Sequence, residues 1–433
     1  MTHPLRIGVA GLGTVGASVL KLVQRRANDL AATAGRAVRV TAVSARDRRR
    51  DRGVDLSGYQ WFDDPAALAA ANDIDCVVEL IGGDEGPARQ TVETALSSGK
   101  HVVTANKALL AKHGVALARM AEDRNVALAF EASAAGGVPV VKTLREALAG
   151  NVVTRVSGIL NGTCNYILSR MELEGLTFDE CLKDAQRLGF AEADPTFDVG
   201  GFDTAHKLAV LTSLAFGVKI DADAIHVEGI SSITPLDLKM ADELGYRIKL
   251  LGVAERTAAG VEQRVHPTMA AKSSSIAQVM GVLNAVTIDA DAVRSVTLIG
   301  PGAGGDPTAS AVLSDIADVA RGLHGAPFGK PVDLLDDPAR APMQRHEGGY
   351  YVRLTVVDRP GSMAKIATRM GDHQISLESI LQKGKGPRGG DGATVPVILI
   401  THATSEAAIR AALDEAQGDG VVTEPPQVIR IER

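Results

Sequence analysis

The sequence predicts an α/β protein: a doubly wound, Rossmann-like domain runs into an α+β domain and then into a small ferredoxin-like unit. Three observations carry this. The first third alternates short apolar strands with amphipathic helical stretches, the pattern of a parallel sheet covered on both faces. The middle turns to helices followed by strands joined by tight turns. The last stretch runs strand, helix, strand, strand, helix, strand, the order of a split ferredoxin-like unit.

Taken in order, "LRIGVA" is a strand and residues 17–34 a helix, with Leu20, Val23 and Leu30 on its apolar face. "AVRVTAVS" is a second strand. "CVVELIG" and "HVVTAN" are nearly continuous apolar strands, separated by "PARQTVETALSSG", which closes on glycine as helices commonly do. "VALAFEAS" is a further strand. Beyond Gly136, "TFDECLKDAQRLG" opens on a capping box, Thr177 with Glu180 three residues on. "RIKLLGVAE", "GVEQRVHPTMA", "LNAVTIDA" and "SVTLIGPGAGG" read as antiparallel strands. "DPTASAVLSDIADVARGLHG" is a helix able to pack back onto the first domain. The Pro-, Gly- and charge-rich "GAPFGKPVDLLDDPARAPMQRHEGG" reads as a linker. The expected division is therefore 1–135, 136–308, a returning helix 309–330, a linker 331–348 and a terminal unit 349–433.

At 433 residues the chain is too long for a single core. A net charge of −6 offers no electrostatic reason for nucleic-acid binding. No basic-then-apolar leader opens the sequence, and "LAVLTSLAFGV" is too short to span a bilayer, so no membrane association is expected. Cys76, Cys164 and Cys181 are odd in number and far apart, which fits neither a disulfide framework nor a zinc ribbon. A reducing cytoplasm is the expected compartment.

"GLGTVG" places Gly11, Gly13 and Gly16 in G-x-G-x-x-G spacing around Thr14 and Val15, after a strand and at the start of a helix. In that context the glycines permit a tight turn, approach of a pyrophosphate, and close helix–strand packing. An NAD site usually ends its second strand on an acidic residue; here Arg46 stands there, followed by Asp47, which favours NADP while leaving NAD open. Lys107 follows an apolar strand, where such sheets carry functional groups, and Glu131 ends another before glycines that expose carbonyls to a hard cation.

"GFAEADPTFDVGGFDTAHK" crowds Glu192, Asp194, Asp198 and Asp203 and ends on Lys207. Asp203 and Lys207, four apart, share a helix face; alone they would be an exposed pair worth a few tenths of a kcal/mol. The pair Gly200–Gly201 and the nearby Glu192 suggest instead the wall of a pocket for a small cationic ligand. Cys164, in "NGTCNYIL", reads as a small packing residue.

With these pieces together the sequence resembles homoserine dehydrogenase in its longer, monofunctional form with a C-terminal ACT domain. "TANKALL", "FEASAAGGVP", "GILNGTCNYIL", "GFAEADPTFDVGGFDTAHK", "GPGAGGDPTASAV" and the "DRPGSMAKIA" turn carry the resemblance over nearly the whole chain, and no kinase-like segment precedes them. The resemblance implies reversible NAD(P)-dependent reduction of aspartate 4-semialdehyde to homoserine, toward threonine, methionine and isoleucine. It implies Lys207 as the catalytic lysine, with Lys107 beside the reacting centre and the nucleotide, and Asp203, Glu192 and Asp198 holding substrate. It places Gly304 at the nucleotide, and a sodium ion on Glu131 and the carbonyls of Ala134, Gly136 and Val138. It further implies a homodimer or homotetramer built through the second domain's sheet, and threonine as effector of the ACT domain. Two rival readings are a phosphorylating semialdehyde dehydrogenase using Cys164 as nucleophile, and a non-catalytic amino-acid sensor.

Overall fold

The computed structural model describes residues 3–382 and 393–432. Six strands, β1 (Leu5–Ala10), β2 (Val38–Ser44), β3 (Gln60–Phe62), β4 (Cys76–Glu79), β5 (His101–Thr104) and β6 (Leu128–Ala129), form a parallel sheet in the order β3-β2-β1-β4-β5-β6. Strand order reverses between β1 and β4, and at such a switch point a crevice opens beyond the strand ends. Ile7, Val9, Val77 and Val78 are fully buried because helices cover both faces, the reason these strands read as unbroken apolar runs. The single helix expected over 17–34 is two, Thr14–Arg25 and Ala27–Ala34, interrupted at Arg26 by a non-helical backbone. "VALAFEAS" keeps only two residues in strand form, because the chain tightens into a 3₁₀ turn at Glu131–Ser133. The helix Gly305–Arg321 does pack back onto this domain: Ala309, Val312 and Ile316 share a core with Val9, Val19 and Leu20.

The second sheet takes β7 (Val153–Ile159), β8 (His226–Val227), β9 (Tyr246–Thr257), β10 (Gly260–Ala271), β11 (Leu283–Ala290) and β12 (Arg294–Pro301). It continues into β13 (Glu347–Val357), β14 (Leu377–Gln382), β15 (Thr394–Thr401), β16 (Thr404–Ser405) and β17 (Gln427–Glu432). Its order is β12-β11-β7-β9-β10-β17-β13-β15-β14, with β8 on β10 and β16 on β13. The last unit has the expected β-α-β-β-α-β order, with helices Ser362–Asp372 and Glu406–Gly418; part of the connection between its middle strands, including the end of "ISLESILQKG", lies outside the described residues.

That unit does not stand apart. β17 pairs in parallel with β10, Thr268 opposite Arg430, so both domains share one sheet. Residues 331–348, read as a linker, are laced to the middle domain: Lys219 N donates to the Asp336 carbonyl (2.8 Å), Val261 N to that of Ala339 (2.8 Å), and Arg340 grips Asp221 with two bonds of 2.7 Å. A charge-rich segment read from composition alone cannot reveal such partners. The capping box at Thr177 and Glu180 is present as expected. "LAVLTSLAFGV" lies largely in the buried helix Phe202–Phe216, and among the described residues no helix is long and apolar enough to cross a membrane.

Candidate active site

The glycine turn after β1 is built for close approach. Gly11 sits at φ +101°, and a Cβ there would meet the Leu80 carbonyl oxygen at 2.4 Å. A Cβ on Gly16 would lie 2.0 Å from the Gly11 carbonyl oxygen, whereas Gly13 faces open space. Gly11 and Gly13 open onto a cavity of about 510 Å³ that Arg46, Asp47, Arg50 and Arg52 also line. The turn leads into the helix Thr14–Arg25, and a helix N-terminus after such a turn is suited to a dinucleotide phosphate. Arg52 is tied up by the carbonyls of Leu12, Asp47 and Arg50. The Asp47 carboxylate accepts from Arg49 N at 2.8 Å. Gly304, at φ +122°, precedes the helix Gly305–Arg321, and Gly305 approaches Ser18 and Thr14.

A second cleft of about 470 Å³ opens beyond β4 and β5, lined by Gly82, Gly83, Asn106, Lys107, Phe197 and His206 among others. Its floor is fixed by Glu79, fully buried, which accepts from Ile81 N (2.7 Å), Gly82 N (3.2 Å) and the Thr104 hydroxyl (2.6 Å). Asn106 caps the helix Lys107–Arg124 and donates to the Gly83 carbonyl at 2.7 Å, so Lys107 starts that helix at a set position. His206 stacks edge-on against Phe197 with ring centres 5.4 Å apart, and burial lowers its pKa.

Next to this cleft Asp203 joins two lysines. Its carboxylate accepts from Lys207 Nζ at 2.7 Å, and Lys107 Nζ lies 3.2 Å from its other oxygen. Asn161 Nδ2 bridges Asp203 (2.9 Å) and Asp198 (2.8 Å). Lys207 Nζ also donates to the Leu160 carbonyl at 2.7 Å. An ammonium has three protons, so one remains without a protein acceptor among the described residues. Burial alone would raise the Asp203 carboxyl, but Lys207 and then Lys107 outweigh it and hold the group well below the usual carboxylate range. Asp198 moves the other way, raised by burial and further by the charge of Asp203. Burial of Asp198 and the two lysines beside Asp203 have thus split two nearby carboxyls, a pattern typical of functional sites.

The structure therefore brings together Lys107, Asp198, Asp203 and Lys207. Glu192 is not in this group: it is exposed, and among the described residues its carboxylate has no hydrogen-bond or ion-pair partner. Asn161, the hinge of the polar network, was missed because a neutral amide carries no charge signal; its place in "NGTCNYIL", as cap of the helix Gly162–Glu174, was the available clue. Cys164 is buried with Sγ 3.2 Å from the Asp198 carbonyl. Burial first, then the charges of Asp198 and Asp203, push its thiol well above its ordinary pKa, the opposite of what a thiolate nucleophile requires.

Glu131 is buried and accepts from Val141 N (2.9 Å) and Lys142 N (2.8 Å). Burial and the adjacent Asp315 push it up to about 7. Gly136, at φ +57°, lies against Gly302, where a Cβ would meet the carbonyl oxygen at 2.2 Å. Among the described residues no three acidic, histidine or cysteine side chains are arranged to hold a metal ion. What stands here is a buried carboxylate whose two oxygens each accept a backbone N–H, with Asp315 and Lys142 close by.

A glycine turn suited to a dinucleotide phosphate at one cavity, with two lysines on a buried aspartate beside a second, belongs to the NAD(P)-dependent oxidoreductases acting on CH–OH groups. Sequence profiles narrow the class. Residues 139–317 match homoserine dehydrogenase, 11–131 the homoserine dehydrogenase NAD-binding domain, and 350–418 the ACT domain. The chain is 44% identical to the homoserine dehydrogenase of Pseudomonas aeruginosa and 41% to that of Neisseria gonorrhoeae, covering 99% of both chains in each pair. A crystal structure of a homoserine dehydrogenase from Thiobacillus denitrificans superposes with TM-score 0.93 at 42% identity, over 99% of this chain and 98% of that one. The chain belongs to the homoserine dehydrogenase family.

Proposed function

We propose that the cluster around Asp203 carries the reaction, with Lys207 as the proton donor to the aldehyde oxygen of aspartate 4-semialdehyde. The observation behind this is the unshared proton of a buried ammonium beside the cleft. Asp203 aims Lys207, and Lys107 stands beside it where negative charge develops on oxygen. The nucleotide, when bound, supplies or accepts the hydride. Homoserine oxidation releases a proton to solvent, so alkaline pH favours that direction. Asp198 and Glu192 would receive the substrate's ammonium; for Glu192 this requires its exposed loop to fold inward. NADPH oxidation on addition of aspartate semialdehyde tests the reading: phosphate-dependent NADP+ reduction in its place would assign Cys164 as nucleophile, and no turnover in either assay would leave a sensor.

The nucleotide site would use Gly11, Gly13, Thr14, Val15, Gly16 and Gly304, with Arg46 at a 2′-phosphate. Arg46 lines the nucleotide cavity beside Asp47, and the presence of that arginine supports NADP over NAD. Arg46→Ala is expected to raise the KM for NADPH about tenfold or more, the scale of a lost hydrogen bond to charge, and to leave NADH within about twofold. Equal losses in steady-state assays of the two nucleotides would show that Arg46 reads something else.

Sodium on Glu131 with the carbonyls of Ala134, Gly136 and Val138 is supported by the burial of that carboxylate next to Asp315. Threonine at the ACT unit is supported by the left-handed Gly361 that opens the helix Ser362–Asp372, and by the buried Ser362 hydroxyl, which lacks a hydrogen-bond partner among the described residues. Dimerisation through the free edge at β12 is supported by its exposed Ile299 and by the exposed Val293 just before it. The division 1–135, 136–308, 309–330, 331–348 and 349–433 and a cytoplasmic location complete the reading.

A further inference from the structure

The free edge of β10 is occupied by two segments in succession. β8 pairs in parallel with Arg264 and Val265, and β17 with Thr268 to Ala270. Glu228, one residue beyond β8, therefore meets Arg430 of β17. Arg430 Nη1 and Nη2 donate to the two Glu228 carboxylate oxygens at 2.8 and 3.1 Å, and Arg410 Nη2 adds a bond of 3.3 Å. His226 Nε2 lies 2.9 Å from the same carboxylate. Arg430 is 1% exposed and is held from its other side by Glu406 at 2.7 and 3.0 Å. A carboxylate of the middle domain is thus clasped by two arginines of the ACT unit.

The backbone around Glu228 continues into the active site. Glu228 N donates to the Val265 carbonyl (2.7 Å), and Ile230 N donates to that of Val199 (2.9 Å). Gly229 lies so close to the turn before the Asp203 helix that a Cβ would meet the Val199 carbonyl oxygen at 2.4 Å and Gly200 Cα at 2.9 Å. Gly201, left-handed at φ +88°, has Val227 and Val265 as its nearest neighbours. It is the residue immediately before the helix Phe202–Phe216, which carries Asp203 in its first turn and Lys207 in its second. With no side chains between these glycines, a shift of the 228–230 backbone has nothing soft to absorb it before it reaches the helix.

We infer that Glu228 is a positioning residue for the Asp203–Lys207 pair, clamped through Arg430 and Arg410, so that the ACT unit sets the seat of the catalytic helix by direct contact. This rests on the assignment of Lys207 above. Glu228 lies outside the cleft and touches no reacting group; it acts through the Gly200–Gly201 turn alone.

Glu228→Gln keeps the shape and removes the charge. In the full-length protein it is expected to lower kcat about tenfold, the order expected when a catalytic group is misplaced by a fraction of an ångström, with the nucleotide KM unchanged. On a Lys207→Ala background the same substitution should change the residual rate less than about twofold, because the group it positions is gone. A folded Glu228→Gln enzyme with parental kcat overturns the inference, and so does an equal loss on both backgrounds. Near-normal turnover by Lys207→Ala alone would instead overturn the assignment of the lysine. Should Glu228→Gln fail to fold, Arg410→Ala removes one clasp bond from the exposed side; a loss of about threefold in kcat at constant nucleotide KM supports the inference, and parental kcat overturns it.

Discussion

Lys207→Ala is expected to lower kcat by about a hundredfold or more, the range for removing an acid–base group, while nucleotide affinity stays within about twofold. The separation follows from the geometry. Lys207 bonds to Asp203 and Leu160 beside the second cleft, whereas the glycine turn and Arg46 line another cavity. The loss should be seen in both reaction directions, since the same atom gives the proton in one and takes it in the other. Single-turnover measurement of NADPH oxidation, together with nucleotide binding by fluorescence, checks both halves. Turnover close to that of the parent would move the proton donor elsewhere, to Lys107 or to water.

Asp203→Ala should be more damaging still, because it reaches stability as well as rate. Asp203 is 4% exposed and holds two lysines and Asn161. Its removal leaves the buried Lys207 ammonium without its carboxylate, and breaking a buried pair in this way costs about 3–5 kcal/mol. The pH dependence has a definite sign. The folded-state pKa of Asp203 lies below its unfolded value, so its stabilisation is present in full above the unfolded pKa, near 4, and is lost as pH falls through the folded value. The stability gap between parent and variant in urea is therefore widest at neutral pH and narrows below about pH 4. A gap that is constant from pH 7 to pH 3 would mean that packing, not charge, accounts for the effect.

These residues differ in how far the sequence alone could reveal them. Gly11, Gly13 and Gly16 were legible because their pattern is local: three glycines within six residues, between a strand and a helix. Asp203 and Lys207 were legible as neighbours on one face but not as a buried pair, since burial depends on the strands packed over their helix. The contact of Lys107 with Asp203 joins two domains and leaves no mark on either segment. Asn161 carries no charge to draw attention. Glu192 was drawn into the site by its nearness in sequence, yet the loop carries it to the surface. The union of the two sheets was invisible for a related reason: it rests on three residue pairs between strands with no pattern in common. The break at Arg26 had no proline or glycine to announce it.

The place of β17 between β10 and β13 also governs the order in which this protein can be assembled. On the ribosome β10 emerges early, and residues 272 to 426 must be made before the strand that covers its edge exists. For that interval Thr268 to Ala270 of β10 lack the strand that later pairs with them, and Arg264 lacks Glu432. An unpaired strand edge is a template for pairing with another chain, and domains made first must wait in that state. Crowded nascent chains, rather than the finished enzyme, are where this architecture is most exposed to misassembly.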